Sequence, residues 1–93
     1  MNKKEKEMYQ KIIDKYNGLC AICGSNQIHL HHIFAGVNRK NSTKYGMIVP
    51  LCYRHHDWVH KTNYKKFKEE AQREFEETHT REEFIKIFGK SYL

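Results

Sequence analysis

Ninety-three residues rarely hold two independent cores, so one domain spanning 1–93 is expected. With 39% hydrophobic and 30% charged residues, a core this small sits near the limit of stability, which excludes a chain held by burial alone and calls for an added staple. The formal charge of +6 suits a polyanionic partner, because each phosphate neutralised by Lys or Arg releases condensed counterions.

Three cysteines are an odd number, and the first residues, Met1-Asn-Lys-Lys-Glu-Lys-Glu, lack the apolar stretch of a secretory leader. Both features argue against a disulfide framework and for thiolates in a reducing compartment, with metal as the staple. No apolar run approaches the roughly 20 residues of a membrane-spanning helix. A cytoplasmic protein with no membrane partner is therefore expected.

In chain order, Met8, Tyr9, Ile12, Ile13 and Tyr16 recur at three- and four-residue steps and predict a helix over about 3–17, ended at Gly18. Cys20-Ala-Ile-Cys23-Gly24 reads as a tight knuckle, Gly24 supplying the backbone freedom that closely spaced ligands require. Residues 27–34 read as a strand. The segment 35–46, AGVNRKNSTKYG, is polar, basic and bounded by glycines, and reads as a long loop of the functional kind. Residues 47–51 form a second strand, where Pro50 suits an edge position because it cannot donate to a ladder. A helix from about Tyr53 carries His56 and His60. Another, over about 63–77, shows an apolar stripe of Tyr64, Phe67, Ala71 and Phe75. Thr80-Arg-Glu-Glu83 is a capping box opening a last helix over 81–88, with Gly89 as its stop.

Two constellations carry the chemistry. Cys20-x-x-Cys23 and Cys52-x-x-His55 are two ligand pairs spaced for one tetrahedral zinc, the second straddling the first turn of a helix, whose N–H groups favour thiolate. His56, next to His55, is the alternative fourth ligand, although one residue turns a helical side chain by roughly 100°. The second set is His31-His32 on a strand and His56-x-x-x-His60 on a helix, whose residues four apart share a face. Three imidazoles on an ion leave a coordination position open, as catalytic sites do.

The order CxxC, LHHI, VPLCxxHHxxxH over Cys20 to His60 resembles the HNH (ββα-metal) endonuclease family, especially its small phage and prophage members. The resemblance implies an α+β fold in which a treble-clef-like ββα-metal core (20–60) with flanking helices grips one catalytic divalent ion beside a structural zinc. It implies His31, His56 and His60 as ligands of the catalytic ion, His32 as general base, and Cys20, Cys23, Cys52 and His55 as zinc ligands. The activity implied is hydrolysis of DNA phosphodiester bonds, in company with phage or host recombination, replication or packaging proteins. Magnesium, manganese, nickel or zinc would serve as the catalytic ion, an all-imidazole set favouring the softer ones. Since histidine bases and ligands must be deprotonated, activity should fall below about pH 6.

The chain departs from the family pattern at two points. Gly46, Met47 and Ile48 stand where the middle Asn is usual, leaving Asn38 or Asn41 to orient the loop, and Ile33-Phe34-Ala35 replaces the proline after the catalytic His. Arg39, Lys40, Lys44, Arg54 and Lys61 are the candidate DNA-backbone contacts. The alternative is a non-catalytic zinc module that binds nucleic acid or protein, which would need the Cys set but not His31, His32 or His60.

Overall fold

The computed structural model describes residues 2–93, an α+β arrangement of one two-stranded antiparallel sheet and, among the described residues, five α-helices. Helix α1 (Lys3–Lys15) is capped by Asn2, whose side chain accepts a hydrogen bond from the Glu5 N–H at 2.9 Å. Its Met8 reaches over Gly46, where φ is +70° and an added Cβ would stand 3.2 Å from the Met8 Sδ. A side chain there would be strained twice, by conformation and by contact, so Gly46 sets how closely α1 lies on the sheet.

Strands β1 (His29–His32) and β2 (Ile48–Leu51) pair with His31 opposite Val49 and His32 opposite Ile48. Both are shorter than the alternation suggested, the pairing stopping before Phe34 and after Met47. The knuckle is bound to the sheet through Ala21, whose N–H donates to the Pro50 carbonyl at 2.9 Å. That bond delivers Cys20 and Cys23 to the end of β2, two residues before Cys52.

The expected loop at 35–46 is corrected. It folds into a 3-10 turn at Gly36–Asn38 and a short helix α2 (Arg39–Lys44). Its polar residues are satisfied: the buried Ser42 hydroxyl bonds both the N–H and the carbonyl of Phe34 at 2.8 Å, and Thr43 bonds back within the helix to the Arg39 carbonyl at 3.2 Å. Asn38 and Asn41 donate to the carbonyls of Phe88 and Ile87. A segment without an apolar stripe thus becomes ordered because the rest of the fold satisfies its polar groups.

Helix α3 (Tyr53–Thr62) follows β2 directly and ends at Asn63, whose φ is 51°. That left-handed residue separates it from helix α4 (Lys66–Phe75), which starts later and ends earlier than the stripe suggested. Helix α5 (Arg81–Phe88) opens on the expected box: the Thr80 side chain accepts from the Glu83 N–H while the Glu83 carboxylate accepts from the Thr80 N–H, both at 3.1 Å.

Two buried clusters result. Phe34, Met47, Ala71, Phe75, Phe84 and Phe88 form an aromatic core between the sheet's end and the C-terminal helices. Cys20, Val49, Leu51, Cys52 and Val59 form a smaller one beneath the knuckle. None of the described helices is long and apolar enough to cross a membrane.

Candidate metal centres and histidine cleft

The fold brings the two cysteine-histidine pairs to one point. Atoms of Cys20, Cys23, Cys52 and His55 capable of ligation all lie within 4.8 Å of one another. The Cys23 and Cys52 sulfurs are 3.7 Å apart, and His55 Nδ1 stands 3.2 Å from Cys52 Sγ and 3.8 Å from Cys20 Sγ. A tetrahedral zinc with sulfur at 2.3 Å places two sulfurs about 3.8 Å apart. The donor set therefore fits zinc in number, kind and spacing, and this Cys3His cluster could hold such an ion.

Local electrostatics suit thiolates. Burial pushes the Cys20 thiol up, but backbone hydrogen bonds from Cys23, Cys52 and Ile22 outweigh it and bring the group down to about 6. Ile22 N–H reaches Cys20 Sγ and His55 N–H reaches Cys52 Sγ, each at 3.5 Å, so Cys52 also serves as the N-cap of α3. For Cys23, backbone bonding near Ser25 pulls the thiol down, but burial and the neighbouring Cys52 and Cys20 leave it raised. Three sulfurs this close would repel as free thiolates, and a cation relieves that repulsion.

His55 and His56 separate cleanly, as consecutive helical positions must. His56 turns from the sulfurs towards His60, their Nε2 atoms 3.1 Å apart, and His31 reaches both from β1 with ring centroids at 5.2 Å. One nitrogen from each of His31, His56 and His60 lies within 4.8 Å of the others. His31 is buried and His60 exposed, so the cluster has a closed side and an open one. Burial, and then the neighbouring His56 and His60, push His31 down to about 4, with a smaller push from Lys68. It is a neutral imidazole at physiological pH, the form that ligates. His56 is likewise lowered, by burial and then by His60 and His29.

Alternation along β1 turns His32 away from His31, and its partner is on α1: the Tyr9 hydroxyl lies 3.2 Å from His32 Nε2, the rings edge to face at 5.9 Å. Burial first, then the Arg39 charge, lowers the His32 pKa against an opposing pull from Glu5. His31, His32 and His60 nevertheless line one cleft of about 130 Å³, with Asn63 and Lys68 on its wall.

The remaining sequence candidates disperse. Arg39 lies near enough to His32 to affect it, while Lys40 and Lys44 line a cleft against α1 with Lys4 and Lys11. Arg54 borders the knuckle beside Cys23 and His55, and the Lys61 ammonium is paired with Asp57 at 2.9 Å. Asn38 and Asn41 fasten the loop to α5 and, among the described residues, make no hydrogen bond to His32.

Two site neighbours escaped the sequence reading. Tyr9 looked like one more apolar position on a helix face, and nothing local marks it otherwise. His29 had a signal: two residues before His31, it shares that strand face and stacks on His56 at 6.2 Å. No protein-family model, curated protein or solved structure matches the chain.

Proposed function

We propose that the chain is a metal-dependent DNA endonuclease of the HNH type, its hairpin and α3 forming a ββα-metal site beside a structural zinc. The observation that carries this reading is the cleft itself. Three imidazole nitrogens converge on one point, one side of the cluster is open, and a fourth histidine borders the same cavity without joining the cluster. A structural zinc site has no need of the open side or of the extra imidazole.

In this reading His31, His56 and His60 hold a divalent ion, which when bound supplies positive charge to the phosphoryl oxygens and lowers the cost of in-line displacement. His32 is the general base. For that role the Tyr9 hydroxyl, 3.2 Å from His32 Nε2, would accept from an Nε2–H, the tautomer that leaves Nδ1 unprotonated to take a proton from the attacking water. The buried face of His31 against α3 keeps the ligand ring fixed, and Arg39 offers a charge beside the base for a non-bridging phosphate oxygen.

The test is cleavage of plasmid DNA by the zinc-loaded protein with an added divalent metal. His32→Ala should lower the rate by about 10²–10⁴-fold, the usual contribution of a general base, with the protein still cooperatively folded and its zinc content unchanged. Tyr9→Phe, which removes one hydrogen bond, should lower kcat by about tenfold or less and leave KM alone. If purified wild type and His32→Ala are equally inert, or equally active, the nuclease reading fails and a non-catalytic zinc module remains.

A further inference from the structure

A second cleft adjoins the histidine cleft. It measures about 430 Å³ and is lined by Asn63, Lys65, Lys68, Lys90, Ser91 and Tyr92, closing at Leu93. Asn63 and Lys68 line both cavities, so the two lie on either side of these residues. Two segments far apart in the chain contribute lysines: the start of α4, with Lys65 as its N-cap and Lys68 in its first turn, and the tail after α5, with Lys90.

These lysines are arranged rather than scattered. The Tyr92 backbone N–H donates to the fully buried Gln72 side chain at 2.7 Å, and its ring packs on Phe34 at 5.3 Å, which fixes the tail. Over that ring stand the ammoniums of Lys68 at 5.4 Å and Lys90 at 4.9 Å from its centroid. Lys65, Lys68 and Lys90 enter no ion pair among the described residues, while their neighbour Lys66 pairs with Glu70 at 3.7 Å. No Asp or Glu side chain lines the cleft. Like charges gathered without acidic side chains among them repel, and the apolar stripe of α4 needs none of them, so their convergence fits a ligand with repeated negative charges.

We propose that this cleft carries the phosphodiester backbone of duplex DNA flanking the scissile phosphate and leads it past Lys68 and Asn63 into the histidine cleft. The direction of the strand rests on the nuclease reading; the binding of the backbone does not. The contact is to phosphate alone, so it adds affinity without sequence preference.

The experiment measures duplex DNA binding by fluorescence anisotropy between about 50 and 200 mM salt. All proteins are full-length, zinc-loaded and carry His32→Ala to prevent cleavage. The triple Lys65→Gln, Lys68→Gln, Lys90→Gln should weaken binding at least about tenfold at the midpoint of that range and reduce the slope of log affinity against log salt by about 2–3. A charge-matched triple at the start of α1, Lys3→Gln, Lys4→Gln, Lys6→Gln, should weaken it clearly less, and both triples should melt with the parent. Equal losses in the two triples, which net charge alone produces, overturn the proposal, as does unaltered binding in the first. Cleavage assays on the triples with His32 restored keep the two readings apart. DNA that is bound through the cleft but never cut removes the nuclease and leaves the cleft, whereas cutting at wild-type KM by the Lys65/Lys68/Lys90 variant removes the cleft and leaves the nuclease.

Discussion

The knuckle end and the aromatic end of this molecule meet at the same four-residue strands yet cohere by different physics. Beneath the knuckle the buried cluster is Cys20, Val49, Leu51, Cys52 and Val59, two of its five members being cysteines. At the other end Phe34, Phe75, Phe84 and Phe88 interlock, with Phe84 stacked on Phe88 and Phe34 tilted against it, both at 4.7 Å. Packed rings each bury a large apolar area. The buried members at the knuckle are small or aliphatic, with the rings of Tyr16, Tyr64 and Phe67 only partly buried against them, and the cysteine-histidine cluster adjoins them. The difference teaches that the histidine cleft sits on the half built around a cluster that could hold a metal, so ligand loss at the knuckle is expected to cost function and fold together.

The sharpest way to break the comparison is to remove the metal-binding side. Cys20→Ala, or chelation of the wild type, should abolish cooperative folding of the β1–β2 half, since structural zinc in small modules contributes roughly 10 kcal/mol or more. Circular dichroism and metal analysis read this directly. A Cys20→Ala protein that melts cooperatively at the wild-type temperature would show the cluster to be dispensable.

Phe84 is fully buried, and Phe84→Ala should cost about 3–5 kcal/mol in a denaturant titration. Folded Phe84→Ala protein should still retain the metal bound at Cys20, Cys23, Cys52 and His55. Loss of that metal at denaturant concentrations where the protein is still folded would mean that the two ends are not separable.

The smallest effect concerns the cap of α5, which supports only the aromatic end. Thr80→Ala should cost about 1 kcal/mol. Hydrogen bonds from the Thr80 backbone and then its side chain hold the Glu83 carboxyl below its usual range. A carboxyl lowered on folding stabilises above its unfolded pKa, near 4.3, and that contribution disappears as pH falls through the folded value. Glu83→Gln should therefore melt below the parent at neutral pH and converge with it in acid. A constant difference between the two melting temperatures from neutral to acid pH would assign the effect to something other than this carboxylate.

Much of the candidate site was legible because metal ligation imposes short-range rules. A Cys-x-x-Cys knuckle, a Cys-x-x-His turn and a His-x-x-x-His face are local geometries, and the capping box of α5 is equally local. What escaped had distant partners. The segment 36–44 looked like a loop because Asn38, Asn41 and Ser42 bond to Phe88, Ile87 and Phe34, outside it. Tyr9 meets His32 across 23 residues of chain, and the lysine cleft is assembled from two segments far apart in the chain.

The sequence by itself determined which side chains can share an ion, since spacing and helical or strand periodicity dictate which neighbours face the same way. It also determined where α5 starts. The sequence assigned His55 to the sulfurs and His56 to His31 and His60, as the structure groups them, but only the tertiary structure decided that Tyr9 and Lys68 border the histidines. Those outcomes depend on how α1, α3 and α4 dock on a two-stranded sheet, and docking is settled by packing summed over the whole chain, as where Met8 closes on Gly46.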